Sequence, residues 1–206
     1  MIDTAFLITS FVTLFVIIDP IGLTPVFLAL TQGMSAQRRR SIAVRATVTA
    51  AILRAHIAVM GEAVLGFIGI SMPAFRVAGG VLLFLTALDM LFERRNKRRE
   101  DRSEEDHSED PSVFPLAIPL IAGPGSIATV ILLAGQRPDV AGFFMVMGVT
   151  LAVLAILLVM CLFSGVFERL LGKTGITVVT RLLGMLLAAL SVQFVLDGLR
   201  AFGFAG

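Results

Sequence analysis

The chain has 206 residues, of which 57% are hydrophobic and 16% charged, with a mean hydropathy of +0.93. Soluble domains are about 45–50% apolar and about 25% charged, so this composition excludes an ordinary soluble globular protein. The net charge of +2 comes with no nucleic-acid motif, and the single cysteine, Cys161, excludes a disulfide framework within one chain. The composition therefore predicts an integral membrane protein.

Six segments approach the roughly 20 apolar residues needed to cross about 30 Å of hydrocarbon. In chain order they are residues 5–30, 47–70, 75–92, 114–134, 141–163 and 178–202. The N-terminus lacks the basic region of a signal peptide, so the first segment is predicted to be a retained helix. The predicted fold is an all-α membrane protein, with six transmembrane helices in one domain that covers residues 1–206.

Basic residues are concentrated in the first, third and fifth connections between these segments, residues 31–46, 93–113 and 164–177. Because cytoplasmic loops carry an excess of Lys and Arg, these connections are predicted to be cytoplasmic, with both termini outside. Of the 32 charged residues, 14 lie in residues 93–110. This segment is predicted to be a solvated linker, and a regulatory or docking role for it stays open.

The two halves of the chain contain matching motifs. Pro20 and Pro124 are 104 residues apart, and the motifs that lead to Arg76 and Arg181 are 105 residues apart. Three spans in each half would make the second half enter the membrane from the opposite side. The spacing therefore predicts an inverted repeat of residues 1–92 and 111–206, a plan common in secondary transporters. Duplication retained for packing alone is the alternative.

Proline and glycine interrupt the first and fourth predicted helices, within residues 19–25 and 123–129. At about 1.5 Å per residue, Asp19 lies about 21 Å into its span and Pro124 about 15 Å. Paired breaks near the midplane indicate a transporter binding site. The predicted substrate-binding residues are Asp19, Pro20, Gly22, Thr24, Pro25, Gly123, Pro124, Gly125, Ser126 and Thr129.

These breaks would suit a small zwitterion. The half-helix after each break presents free N–H groups and a positive dipole end, which favour a carboxylate. Thr24, Ser126 and Thr129 could add hydroxyl donors, and Asp19 could face an ammonium group or bind H⁺ or Na⁺. For the hydroxyls, the alternative is that they repair the broken backbone. For Asp19, the alternative is an N-cap role, which is compatible with ligand binding.

Other charged residues in the predicted spans are candidates for coupling or gating. Arg76 and Arg181 recur symmetrically and could close a gate through ion pairs, or simply reach the interface. Arg54, His56 and Glu62 make the second span the most polar, and Glu62 joins Asp19 among the coupling candidates. Gly79, Gly80 and Gly184 are predicted to allow close helix packing. No metal cluster, phosphate loop or nucleophile set is present, so neither a cofactor nor an enzyme is predicted.

Several motifs resemble the MarC family of bacterial and archaeal membrane proteins. They are DPIGLTP from Asp19, GISMPAFRVAGG from Gly69, PLAIPLIAGPGSIAT from Pro115, LGKTGI from Leu171, RLLG from Arg181 and QFVLDG from Gln193. The resemblance implies six spans in the cytoplasmic (inner) membrane, a distant relation to lysine-exporter-type carriers, and transport of neutral amino acids. Leu23 departs from the Asn that many members carry, and Arg54 and His56 lie outside the motifs.

The function predicted on these grounds is secondary transport of small neutral amino acids by alternating access, with export as one option. The direction and the coupling ion, H⁺ or Na⁺, are left open. The predicted partners are a small zwitterionic substrate and the lipid bilayer, without nucleic acid. Two rivals remain: a channel or carrier for another small polar solute or ion, and a non-transporting membrane scaffold or sensor.

Overall fold

The protein is described here by a computed structural model covering residues 3–92, 94 and 110–204, which contain helices and no strand. The predicted linker, residues 93–110, lies almost wholly outside the described residues. The helices are α1 (Thr4–Ile18), α2 (Pro20–Leu30), α3 (Ala36–Ile68), α4 (Met72–Leu91), α5 (Ser112–Ile121), α6 (Pro124–Gln136), α7 (Val140–Leu162) and α8 (Ser164–Ala201).

Five or six of these helical units are long and apolar enough to span a membrane. Within the described residues, the five are α1 together with α2, then α3, α4, α7 and the part of α8 from Thr174. The sixth consists of α5 and α6, which meet at a bend of 57°. The prediction of an all-helical, multi-pass membrane protein is therefore confirmed.

Two predicted connections are helical instead. Helix α3 begins at Ala36, within the predicted connection 31–46, and Ser35 caps it by accepting from the Arg38 N–H at 3.3 Å. With 33 residues, α3 is about 50 Å long and exceeds the hydrocarbon thickness. The predicted connection 164–177 is the start of α8, which is interrupted where Gly172 has φ 61° and ψ 171°. The sequence marked only the apolar spans on either side of these connections, because hydropathy detects the part of a helix that lies in lipid.

Polar side chains join the ends of different helices. Arg39 Nη2 donates to Ser164 Oγ at 2.9 Å, and Arg45 forms an ion pair with Asp110 at 2.7 Å. These contacts bring the three basic connections to one end of the molecule, which we call the basic end. A third contact, the ion pair between Asp3 and Arg137, joins the chain's start to the connection between α6 and α7.

Asp3 also caps α1. Its carboxylate accepts a hydrogen bond from the Phe6 N–H at 3.0 Å. This bond, followed by the interaction with Arg137, holds the pKa of Asp3 below its usual 3.8, outweighing desolvation.

Helices α4 and α8 pack closely and antiparallel. Gly198 lies against Pro73 and Val77, whereas Gly184 lies against Ala87 at the other end of α4. Between them, a Cβ at Gly80 would come within 2.8 Å of the Ser191 carbonyl oxygen and 3.0 Å of the Val195 nitrogen. The predicted role of Gly80 and Gly184 in close packing is confirmed. Gly79 has the same role towards α6, where a Cβ would come within 2.7 Å of Leu132 Cδ1.

The interrupted first span lies in the interior. In its most apolar stretch 56% of the residues are buried, against 17% for α3. Broken backbone is tolerated in a membrane only when protein or a polar cavity surrounds it. The enclosure of α1 and α2 meets this requirement and makes their junction a candidate site.

Candidate binding site at two helix breaks

The first break is a single residue, Asp19, between α1 and α2. Asp19 has left-handed backbone angles, φ 56° and ψ 65°, and is completely buried. Its N–H donates to the Phe15 carbonyl at 2.9 Å, ending α1, and its carboxylate accepts from the Gly22 N–H at 3.0 Å, starting α2. Pro20 occupies the first helical position, where a missing N–H costs nothing. The predicted N-cap role of Asp19 is confirmed.

The unwound segments are shorter than the sequence predicted. Residues 20–25 belong to α2, with Pro25 inside the helix, and residues 124–129 belong to α6. Proline at a first helical position starts a helix rather than breaking one, so the observed breaks lie before Pro20 and Pro124 rather than after them. Pro25 removes only the donor for the Ile21 carbonyl and leaves the rest of α2 helical.

The second break follows α5, a segment of helical turns that is not one continuous helix. Its backbone is extended at Phe114 and Ile118, each of which precedes a proline. Helix α5 ends at Ile121, and α6 begins at Pro124 after two intervening residues, of which Gly123 is its N-cap and has no capping side chain. Because glycine has no side chain, Gly123 cannot cap the backbone N–H groups in the first turn of α6.

The predicted hydroxyl donors are all bonded to nearby carbonyls. Thr24 Oγ1 donates to Pro20 at 2.7 Å, and Thr129 Oγ1 donates to Gly125 at 2.8 Å. Ser126 Oγ lies 2.9 Å from the Gly123 carbonyl and 3.2 Å from that of Ile121. These are the hydrogen bonds expected if the hydroxyl groups repair the broken backbone. The hydroxyl oxygens can still accept hydrogen bonds, so their contact with a ligand stays a prediction.

The two breaks contact each other inside the helix bundle. A Cβ built on Gly125, in the first turn of α6, would lie 3.1 Å from Ile17 Cδ1 and 3.5 Å from Thr86 Oγ1. Ile17 is two residues before Asp19, so the end of α1 packs directly on the start of α6. The sequence placed these segments at similar depths, and the structure brings them together.

Arg54 is part of the second break and was not among the predicted site residues. It lies near the middle of α3, is completely buried, and donates from Nη2 to the Ile121 carbonyl at 2.8 Å. Its position as a charge in a predicted span was the signal that could have identified it, since such charges are costly unless they are functional or paired.

The predicted gating residues lie away from this contact. Arg76 is half-buried near the Gly198 end of the α4–α8 pair, and Arg181 is exposed near the opposite end, three residues before Gly184. Glu62 is exposed on α3. Their roles in gating and coupling stay predictions.

A separate cavity of about 220 Å³ lies at the basic end of the molecule. It is lined by Phe27, Ala36, Arg39, Arg40, Cys161 and Leu162. Phe27 is about two helical turns from Asp19, so this cavity lies apart from the breaks. In the part of the chain that the structure describes, no group of three acidic, histidine or cysteine side chains could hold a metal ion.

Comparison with known proteins identifies relatives of similar length. Residues 4–202 match the family described as "MarC family integral membrane protein". An Archaeoglobus fulgidus UPF0056 membrane protein is 39% identical, over 95% of this chain and 92% of its own length. Bacillus subtilis YvbG, a UPF0056 membrane protein, is 34% identical over 95% of both chains.

The UPF0056 inner membrane protein YhgN of Escherichia coli K12 is also 34% identical, over 94% of this chain and 96% of its own. These names state a membrane location and no substrate. No solved structure matches. The motifs, the multi-pass helical fold and these matches together lead to one conclusion: the chain belongs to the MarC family of integral membrane proteins.

Proposed function

We propose that this protein is a secondary carrier for small neutral amino acids, working by alternating access around the two helix breaks. The observation that carries the proposal is the contact between the breaks, where Gly125 packs on Ile17 beside the buried Asp19. Paired half-helices that begin at such a junction are typical of transporter binding sites.

The chemistry at the breaks supports a zwitterionic substrate. Asp19 supplies a buried carboxylate, which can face an ammonium group or bind H⁺ or Na⁺. The uncapped start of α6 supplies backbone N–H groups and the positive end of a helix dipole, which favour a carboxylate. An α-amino acid carries both complementary groups on one carbon.

The packing supports two inverted halves. Helices α4 and α8, the third helices of the proposed repeats, are antiparallel, as equivalent helices are in an inverted repeat. Helix α3 packs on α5 and α6, and its counterpart α7 packs on α1 and α2. Each half therefore packs its middle helix on the broken span of the other half, as an inverted repeat requires.

The ends of the molecule fit the orientation proposed from charge. The basic end would face the cytoplasm, which puts both termini outside. Arg76 and Arg181 lie towards opposite ends of the α4–α8 pair, which suits one gate on each side. Glu62 is the second acidic candidate for coupling.

The rival functions make different predictions. A scaffold would combine continuous helices through residues 19–25 and 123–129 with the absence of a polar cavity beside them. The helices are interrupted at Asp19 and at Gly123, so the first half of this criterion speaks against a scaffold. A channel would conduct in proportion to the gradient, whereas a carrier saturates. The break geometry therefore favours transport, and kinetics distinguish its two forms.

The test is flux from liposomes that contain the purified protein and are preloaded with labelled alanine, serine or glycine. The expected result is saturable efflux that responds to a proton or a sodium gradient. No flux above empty liposomes under either gradient would refute amino-acid transport.

A further inference from the structure

The guanidinium of Arg54 is buried at the second break with most of its donors unused. Nη2 donates to the Ile121 carbonyl at 2.8 Å. Nε and Nη1 are also buried, and neither has a hydrogen-bond partner among residues 3–92, 94 and 110–204. Unsatisfied donors on a buried charged group are unfavourable, more so in the middle of a membrane. The arrangement points to an anionic group that these nitrogens bind.

The first turn of α6 lies directly beside this guanidinium. Ser126 Oγ lies 3.2 Å from the Ile121 carbonyl oxygen to which Arg54 Nη2 donates at 2.8 Å. The two groups can therefore be no further apart than the sum of these distances, 6.0 Å. The start of α6 has no capping side chain, so its N–H groups and positive dipole end add to the charge of Arg54.

The first break indicates which anion fits here. Asp19 and Gly123 are 104 residues apart, and each is the N-cap before a proline. At α2 the carboxylate of Asp19 accepts from the helix, whereas Gly123 offers no side chain to α6. A carboxylate brought by a ligand would take at α6 the place that the Asp19 carboxylate takes at α2.

We propose that Arg54 and the first turn of α6 bind the carboxylate of the amino-acid substrate, an inference that rests on the carrier function proposed above. Ile17, two residues before Asp19, packs on Gly125 in the first turn of α6, so the break that contains Asp19 adjoins the break that Arg54 contacts. The substrate is then oriented with its ammonium group towards Asp19 and its carboxylate towards Arg54.

The experiment measures the preference for a carboxylate rather than uptake alone. Uptake of labelled alanine into liposomes is inhibited with unlabelled alanine or with alaninamide, which lacks the carboxylate. The wild type should prefer alanine by about tenfold or more, the value expected for a charged hydrogen bond. Arg54→Gln should remove most of this preference by weakening alanine binding, and Arg54→Lys should remove part of it. The matched control is Arg40→Gln on the exposed part of α3, which should leave the preference unchanged.

A second measurement covers variants that fold without transporting. Purified protein in detergent is heated with alanine or alaninamide, and unfolding is followed by labelling of the buried Cys161. Alanine should raise the Tm of the wild type more than alaninamide does, and Arg54→Gln should lose this difference. If Arg54→Gln does not fold, Arg54→Lys gives the same comparison.

Failure of this inference differs from failure of the proposed function. A wild type that transports no amino acid refutes the function. A wild type that transports alanine, with Arg54 variants that keep the full preference over alaninamide, refutes the role of Arg54 alone. Loss of stability with an unchanged preference would make Arg54 a structural residue and also overturn the inference.

Discussion

Replacing Gly80 by alanine tests the close approach of α4 and α8. A Cβ at this position would lie 2.7 Å from Val195 Cγ2, 2.8 Å from the Ser191 carbonyl oxygen and 3.0 Å from the Val195 nitrogen. Ordinary contacts between such atoms are about 3.5–4.0 Å, so the helices must separate by roughly 0.5–1 Å. Two of the three atoms are backbone and cannot rotate away, so an overpacking cost of about 1–3 kcal/mol is expected.

The matched control is Gly148→Ala in α7, where the added Cβ meets nothing within 4 Å. Both substitutions gain the same helix propensity, up to about 1 kcal/mol, so the difference between them isolates the packing cost. For a chain of this size, about 1–3 kcal/mol corresponds to a Tm difference of about 2–12 °C.

The assay is thermal unfolding in mild detergent, followed with a thiol-reactive fluorogenic dye. Cys161 is the single cysteine and is largely buried beside the cavity at the basic end, so its labelling accelerates when the fold opens. Gly80→Ala should unfold at the lower temperature of the two variants. Equal Tm values for Gly80→Ala and Gly148→Ala would refute the backbone contact between α4 and α8.

Three further predictions concern the first break, an ion pair and the orientation. Asp19→Asn should stay folded, because asparagine caps helices as well as aspartate does and tolerates left-handed backbone angles. The variant should nevertheless lose most of its transport activity. Unchanged alanine flux would exclude the Asp19 carboxylate from the mechanism. The pKa of Asp3 is held below 3.8 by the hydrogen bond from the Phe6 N–H and also by Arg137. The ionised carboxylate therefore stabilises the folded state above pH 3.8, and this stabilisation is lost as the pH falls through the lower pKa of the folded state. The Tm gap between wild type and Asp3→Asn should accordingly close in acid, and a gap that widens there would contradict the assignment. In a cysteine-free background, Pro138→Cys should react with an impermeant maleimide added to intact cells and Ser35→Cys should not; the reverse pattern would invert the proposed orientation.

The sequence was sufficient to predict the class of fold and the existence of both breaks. Their lengths were not predictable in the same way, because Pro20 and Pro124 each begin a helix instead of unwinding one. What determines the first break is the left-handed backbone of Asp19, and composition does not reveal backbone angles. Local motifs therefore locate a break more reliably than they define its extent.

The residues missing from the predicted site belong to long-range contacts. Arg54 reaches the Ile121 carbonyl across 67 positions of sequence, and Ile17 meets Gly125 across a still longer separation. The partner of Arg54 is the backbone carbonyl of Ile121, and the partner of Gly125 is the aliphatic side chain of Ile17. Neither isoleucine stands out in an apolar sequence. Such contacts become visible only when the helices are packed together.

The most direct test of the account is the accessibility of Ser126→Cys in a Cys161→Ala background. Ser126 is buried in the first turn of α6, beside both Arg54 and the contact between the breaks. Alternating access predicts that a water-soluble thiol reagent modifies this cysteine from either side of the membrane, and that alanine slows the modification in a saturable way. A cysteine that reacts from neither side, or at a rate that alanine does not change, would contradict a substrate site at the two breaks.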